Sequence, residues 1–175
     1  MRKIAVFGSA FNPPTLGHKS IIDSLGHFDK VLLVPSIAHA WKKKMFDYNV
    51  RCDLVDVFIS DLNLSNVERS QIEEQLPKLG GSVKTYTVLS ELSKKNSQAD
   101  ITFVLGPDNL LNFEKFYKSE EILQCWSVLV CPEKVAIRST EIRQRIADGS
   151  DIGCLTTPSV SSLLRKLSIE QLFTI

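Results

Sequence analysis

Two rhythms of apolar residues run through this chain. Short apolar runs, Ile4 to Phe7, Val31 to Val34, Ile101 to Leu105 and Trp126 to Cys131, have the length of buried strands, and they stop at Gly8, Pro35, Gly106 and Pro132. Between them the period lengthens to that of a helix. Ile21, Ile22, Leu25 and Phe28 share one face of a helix expected from about Gly17 to Phe28. Asp47 is a good N-cap for a helix to about Leu62, with Val50, Leu54, Val57, Phe58 and Leu62 as its buried stripe. A helix from about Thr85 to Lys95 buries Val88, Leu89 and Leu92. Another begins with Ser139 or Thr140 as its cap and runs to Asp148, where Gly149 terminates it. Thr157 followed by Pro158 reads as an N-cap with proline at the first helical position, and Val160, Leu163, Leu164 and Leu167 supply that helix's face. The pattern is weakest from 62 to 82, where a short strand around Asn66 to Ser70 precedes a loop marked by Pro77, Gly80 and Gly81. Nearly continuous apolar strands alternating with helices predict an α/β fold: a Rossmann-like, doubly wound, mostly parallel sheet with helices on both faces.

Composition narrows this little. The 175 residues, 43% of them hydrophobic, fit one domain over 1–175 with a core of ordinary size and a C-terminal helical segment from about 139. A net charge of +1, from 21 basic and 20 acidic residues, suggests neither a nucleic-acid nor a membrane surface. Cys52, Cys125, Cys131 and Cys154 show no C-x-x-C spacing, so they read as reduced residues of a cytosolic protein and no zinc site is expected. Met1-Arg2-Lys3 runs directly into the first strand, so no signal peptide is expected, and no apolar run approaches a membrane span. The expected location is the cytoplasm.

The chemistry gathers at loops that follow strands. The segment from Ile4 to His18 reads strand, Gly-containing loop, helix. In a parallel sheet that loop lies at a carboxyl end, where ligands bind, and the helix start offers unpaired N–H groups that suit phosphate. There is no G-x-G-x-x-G, and Gly8 lies nine residues before Gly17, too far for a P-loop. What remains is G-x-x-F-x-P-x-T-x-G-H, with His18 as a loop histidine near solvent. The next loop, 36–46, carries His39, Trp41 and Lys42-Lys43-Lys44. The lysines read either as a solvated run or as phosphate-facing, and Trp41 as a stacking surface or a lid. For Arg51 an exposed position is ordinary, and a core-facing or phosphate-facing one unusual. Asp108, just past a strand end, suits a ribose hydroxyl, a ligand amide or the cap of the next helix. Ser139 and Thr140 at a helix start, with Arg143 one turn in, form a second anion site.

The first motif closely resembles the signature of the nucleotidyltransferase superfamily with (H/T)-x-G-H, and I-R-S-T-E-I-R resembles its I-S-S-T-x-I-R, with Arg138 replacing the first serine. Residues 105–123, L-G-P-D-N-L-L-N-F-E-K-F-Y with E-I-L after it, look like the G-x-D-x-L-x-x-F-x-x-W-Y-x-x-x-x-I-L stretch of nicotinate or nicotinamide mononucleotide adenylyltransferases, with Phe116 in place of tryptophan. The resemblance implies adenylyl transfer from ATP to a pyridine mononucleotide, giving the dinucleotide and pyrophosphate in NAD biosynthesis, with Mg²⁺ carried by ATP and no protein-borne metal. It implies catalytic roles for Thr15, His18 and Arg143. ATP would also meet Gly8, Ser9, Ala10, Phe11, Gly106, Asp108, Ser139 and Thr140. The mononucleotide would meet Asn12, Lys43, Thr85, Tyr86 and Phe116. The partners implied are those two small molecules, with no nucleic acid or membrane; a homo-oligomer stays open. Pantetheine-phosphate adenylyltransferase, which also has T-x-G-H, and a nucleotide-binding homologue with impaired catalysis are the alternatives.

Overall fold

A computed structural model describes residues 1–38, 45–79 and 81–167. His39, Trp41 and Lys42 to Lys44 lie outside the described residues. Five strands, β1 (Arg2–Ser9), β2 (Lys30–Pro35), β3 (Val67–Arg69), β4 (Ala99–Leu105) and β5 (Ser127–Val130), pair in the order β3-β2-β1-β4-β5, all parallel. The helices are α1 (Leu16–Ile22), α2 (Tyr48–Leu62), α3 (Thr85–Lys95), α4 (Pro107–Leu111), α5 (Ser119–Cys125), α6 (Ser139–Ala147) and α7 (Pro158–Lys166).

Strand alternation divides the core in two. Ala5, Phe7, Val31, Leu33 and Val104 face α1, α2, α6 and α7. Ile4, Val6, Leu32, Val34, Ile101, Phe103 and Leu105 face α3 and α5. Successive strand residues point to opposite faces, so both faces of β1, β2 and β4 must be apolar, and the runs read as continuous. After β1 the chain moves to β2 and β3 on one side; β4 returns beside β1 on the other. The order therefore reverses between β1 and β4, which opens a crevice beyond their carboxyl ends.

Three expectations are corrected. The first helix stops at Ile22 and continues as a 3₁₀ turn, Asp23–Leu25, so Phe28 packs from beyond it. Arg51 is buried, 1% exposed, within α2. The N-cap of α6 is Arg138, and neither Ser139 nor Thr140 caps it: the Ser139 hydroxyl donates to Pro13 O at 2.7 Å, and Thr140 Oγ1 accepts from Arg143 Nη2 at 3.2 Å. Asp47 does cap α2, accepting from Asn49 N at 2.9 Å. The four cysteines are free, Cys52 and Cys131 buried, Cys125 and Cys154 exposed. No helix among the described residues is long and apolar enough to cross a membrane.

Candidate active site

The turn into α1 carries the first motif. Thr15 is the N-cap; its Oγ1 accepts from His18 N at 3.2 Å, while His18 Nδ1 accepts from Thr15 N at 3.0 Å. This reciprocal pair satisfies two otherwise orphan amides. It also sets the tautomer. A backbone amide can only donate, so Nδ1 is the acceptor and the ring proton of the neutral imidazole lies on Nε2. Nε2 is 3.1 Å from Ser9 Oγ, at the end of β1. The Phe11 and Phe7 rings lie 4.9 and 6.1 Å from the imidazole. Burial lowers the His18 pKa to about 4, with the Arg138 charge adding to the shift. Near neutral pH His18 is therefore an uncharged N–H donor, held by the helix start rather than standing free near solvent.

Gly17 is needed because two strands of backbone nearly touch. A Cβ there would lie 2.6 Å from Ile137 O and 3.1 Å from Val135 O. Ile137 O also accepts from Thr15 Oγ1 at 3.2 Å. The carbonyls just before the turn are taken in succession by side chains from the C-terminal part of the chain. Arg143 Nη1 donates to Asn12 O at 2.6 Å, Ser139 Oγ to Pro13 O at 2.7 Å and Thr156 Oγ1 to Pro14 O at 2.8 Å. The loop between β1 and α1 is thus shaped by residues more than 120 positions away.

A cavity of about 700 Å³ opens at the carboxyl ends of β1 and β4. Of the residues anticipated for a nucleotide, Gly8, Ser9, Ala10, Thr15, His18, Gly106, Asp108 and Ser139 line it; so do Thr85 and Phe116 on the mononucleotide side. Phe11 is wholly buried and packs against His18. Asn12 is buried too, its Oδ1 accepting from Phe46 N at 2.9 Å. Thr140 and Arg143 bond each other and do not line it. The Tyr86 ring meets Trp126 and Tyr117 edge-on at 5.6 and 6.3 Å, with Lys118 Nζ 4.6 Å from its centroid. Phe116 has one side on the cavity and the other on Phe113, at 5.4 Å between centroids. Lys43 lies outside the described residues.

Several contacts in the wall and in the loops beside it were not anticipated. Asp108 does not cap α4, whose N-cap is Gly106; its carboxylate instead meets Arg138 Nη1 at 2.7 Å, and Arg138 Nη2 meets Glu133 at 2.9 Å. Glu73 accepts from Ile37 N at 2.8 Å, and burial raises its pKa to about 7 against the opposing pull of that amide and of Arg51. Arg51 contradicts the ordinary exposed expectation because its fork has three carbonyls to satisfy: Phe46 O at 3.0 Å, Ala10 O at 2.7 Å and Ile37 O at 3.2 Å. It thereby joins the loop after β1 to the loop after β2. Lys84 also lines the cavity, its ammonium 3.0 Å from Ser82 Oγ. No cue in the sequence placed Glu73 here, since it belongs to the weakly patterned stretch, whereas Lys84 opens the segment whose Thr85 and Tyr86 were expected at the mononucleotide. Among the described residues, no group of three or more His, Cys, Asp or Glu is gathered to hold a metal.

Comparison with known proteins bears on this geometry. Residues 6–145 match the family model described as cytidylyltransferase-like. A curated protein of Aliarcobacter butzleri (strain RM4018), named "Probable nicotinate-nucleotide adenylyltransferase", is 33% identical over 124 residues, covering 69% of this chain and 65% of that protein. The match thus spans just under two thirds of that relative's length. A crystal structure from Vibrio parahaemolyticus, described as "a Putative Nicotinate-nucleotide Adenylyltransferase", is 57% identical, with TM-score 0.86, covering 95% of this chain and 100% of that one. A Plasmodium falciparum nicotinic acid mononucleotide adenylyltransferase complexed with NaAD shares the fold at 15% identity, with TM-score 0.78 and 98% of each chain covered.

Proposed function

The chain belongs to the cytidylyltransferase-like family, and from that premise we propose that it transfers the adenylyl group of ATP to the phosphate of a pyridine mononucleotide, a step of NAD biosynthesis. Of the two acceptors the relatives' names favour nicotinate mononucleotide. The observation that carries the reading is His18: a neutral imidazole with Nε2–H directed to the cavity side of Ser9, at the reversal point of a parallel sheet.

In this reaction an oxygen of the mononucleotide's phosphate attacks the α-phosphorus of ATP. The bond from that phosphorus to the pyrophosphate oxygen breaks, and the pyrophosphate leaves with the electron pair. The nucleophile is already anionic near neutral pH, so no general base is required. The protein's task is to align two anions and stabilise the charge that grows on the leaving group. His18 Nε2–H supplies one donor, exchanging Ser9 Oγ for a phosphate oxygen. Thr15 fixes the imidazole and the helix start. Gly8, Ser9 and Ala10 present the loop backbone to the triphosphate, and Gly106 and Asp108 face the nucleoside across the crevice. Ser139 lies on the phosphate wall. Thr140 and Arg143 serve it indirectly, Arg143 through the Asn12 carbonyl that it holds and Thr140 through Arg143. Phe11 and Asn12 keep the loop in shape beneath.

At the other end, the first turn of α3 has no side-chain cap, so the amides around Thr85 are open to an acceptor's carboxylate, and Lys84 adds a cation. Phe116 offers a ring face to the pyridine, and Tyr86, packed on Tyr117 and Trp126, belongs to the same end of the site. Lys43 belongs to the same proposal as a phosphate contact. A Mg²⁺ ion that arrives on the triphosphate belongs to the same proposal. When bound there, it would neutralise part of the phosphate charge. Cytoplasmic location, one domain over 1–175 and small molecules as the partners complete the proposal.

The test is pyrophosphate release with ATP plus each of nicotinate mononucleotide, nicotinamide mononucleotide and phosphopantetheine. Turnover is expected with the pyridine nucleotides, fastest with the acid. Preference for phosphopantetheine would overturn the substrate assignment, and no turnover with any would leave a binding protein.

A further inference from the structure

We infer that Arg138 is a phosphate-binding residue of the nucleotide site, a guanidinium that leaves the Asp108 and Glu133 carboxylates for the triphosphate; the inference rests on the cavity's being a nucleotide site. Both chain neighbours of Arg138 are fixed to the first motif. Ile137 O accepts from Thr15 Oγ1 at 3.2 Å, and Ser139 Oγ donates to Pro13 O at 2.7 Å. The Arg138 backbone is thereby held against the segment that carries Thr15 and His18, while its side chain lies on the cavity wall with theirs.

The side chain has no structural duty that would keep it where it is. As N-cap of α6 it makes no side-chain capping bond. Its two ion-pair partners also line the cavity, and the Arg138 and Asp108 side chains are 55% and 66% exposed. The pair with Asp108, exposed on both sides, holds weakly and is screened by salt, while Glu133, 18% exposed, holds the second nitrogen from the less exposed side. A triphosphate offers several oxygens and a higher charge, and the planar fork of arginine matches phosphate in a way that a carboxylate pair in water does not improve on. Arg138 also acts on the site already, since its charge contributes to the lowered pKa of His18.

The exchange is linked to the other end of the nucleotide. If Asp108 turns to a ribose hydroxyl, it releases one nitrogen of the fork as the phosphates arrive. Arg138 stands where the resembling superfamily motif has a serine, so this chain would place a full charge where a hydroxyl is usual.

The test is calorimetric binding of Mg·ATP, adenosine and inorganic pyrophosphate to the full chain and to Arg138→Gln, Arg138→Lys and Asp108→Asn. Arg138→Gln should weaken ATP about 10–100-fold, the range for one charge-assisted hydrogen-bonding group. Adenosine should bind within about twofold of wild type, and Arg138→Lys should recover most of the loss. Pyrophosphate separates a binding residue from a structural pair. Asp108→Asn frees the guanidinium and should tighten pyrophosphate by up to about fivefold, whereas Arg138→Gln weakens it. The tightening should shrink when made in the Arg138→Gln background. Equal losses for adenosine and ATP, or both variants moving pyrophosphate affinity in the same direction, would make the pair structural and overturn the inference. Wild type that releases pyrophosphate while Arg138→Gln binds ATP normally would overturn this inference alone. Wild type that binds ATP with the expected Arg138 dependence but turns over no mononucleotide would overturn only the reaction.

Discussion

At the scale of single residues the site depends on groups kept uncharged by burial. His18 has lost its proton at neutral pH and donates through Nε2, while Nδ1 serves the Thr15 amide. His18→Ala removes both. The lost donor should lower kcat by about 10²–10³-fold, with little change in KM for ATP, because charge on the leaving oxygens grows only in the transition state. The lost cap should cost about 1 kcal/mol, read as a fall in Tm of about 2–4 °C; a variant with near-normal kcat would remove His18 from the chemistry. The folded pKa, about 4 against an ordinary 6.5, means that the contribution of His18 to stability is complete above pH 6.5 and is lost as pH falls toward 4. Glu73 has the opposite sign. Its carboxyl titrates near 7 in the fold against 4.5 ordinarily, so its contribution is complete below pH 4.5 and lost as pH rises through 7. Glu73→Gln should therefore gain Tm relative to wild type as pH goes from about 5 to 8. A difference independent of pH would mean that Glu73 titrates like a surface carboxylate.

At the scale of elements, the alternation of runs and helices was legible because it follows from burying both faces of a parallel sheet. The parallel pairing of the strands, α2 from the Asp47 cap and α3 from Thr85 are examples. The T-x-G-H turn was legible as part of the crevice at the carboxyl end of the sheet for the same reason: it follows a strand and opens a helix. What stayed hidden were partners distant in sequence. Nothing local in Ser139 says that its hydroxyl will bond Pro13 O rather than cap its own helix, and nothing in Arg51 says that three loop carbonyls await it. The contact that unites the two motifs is Gly17 against Ile137 O. Gly17→Ala should gain up to about 1 kcal/mol from helix propensity, since the residue lies in α1. Against that, the new Cβ meets two backbone oxygens that cannot rotate away, and overpacking of this kind costs about 1–3 kcal/mol. The clash should win. The start of α6 moves off the turn, Tm falls, and kcat/KM for ATP falls more than tenfold, which is about 1.4 kcal/mol or more of transition-state binding. A stabilised, fully active variant would show that the two segments are not coupled.

At the scale of the molecule, the site is where distant parts of the chain meet. Thr156, Ser139 and Arg143 reach the loop after β1, Arg51 ties that loop to the one after β2, and Asp108 after β4 meets Arg138 beside α6. None of these bonds lies within a single element; each crosses between segments that unfolding would separate. A nucleotide filling the crevice between β1 and β4 contacts several of those segments and has no equivalent site in the unfolded chain. Its binding energy is then added to the stability of the whole fold. At about 100 times its dissociation constant, ATP should contribute about 2.7 kcal/mol. For a chain of 175 residues that corresponds to about 5–11 °C in Tm. Adenosine at the same concentration should raise Tm less, because it leaves the Ser9–His18–Ser139 end of the cavity unfilled. Thermal unfolding at fixed protein concentration, with ATP, adenosine or neither, checks this. Equal shifts for the two ligands would mean that the phosphates add nothing, and no shift with either would mean that the crevice does not bind a nucleotide.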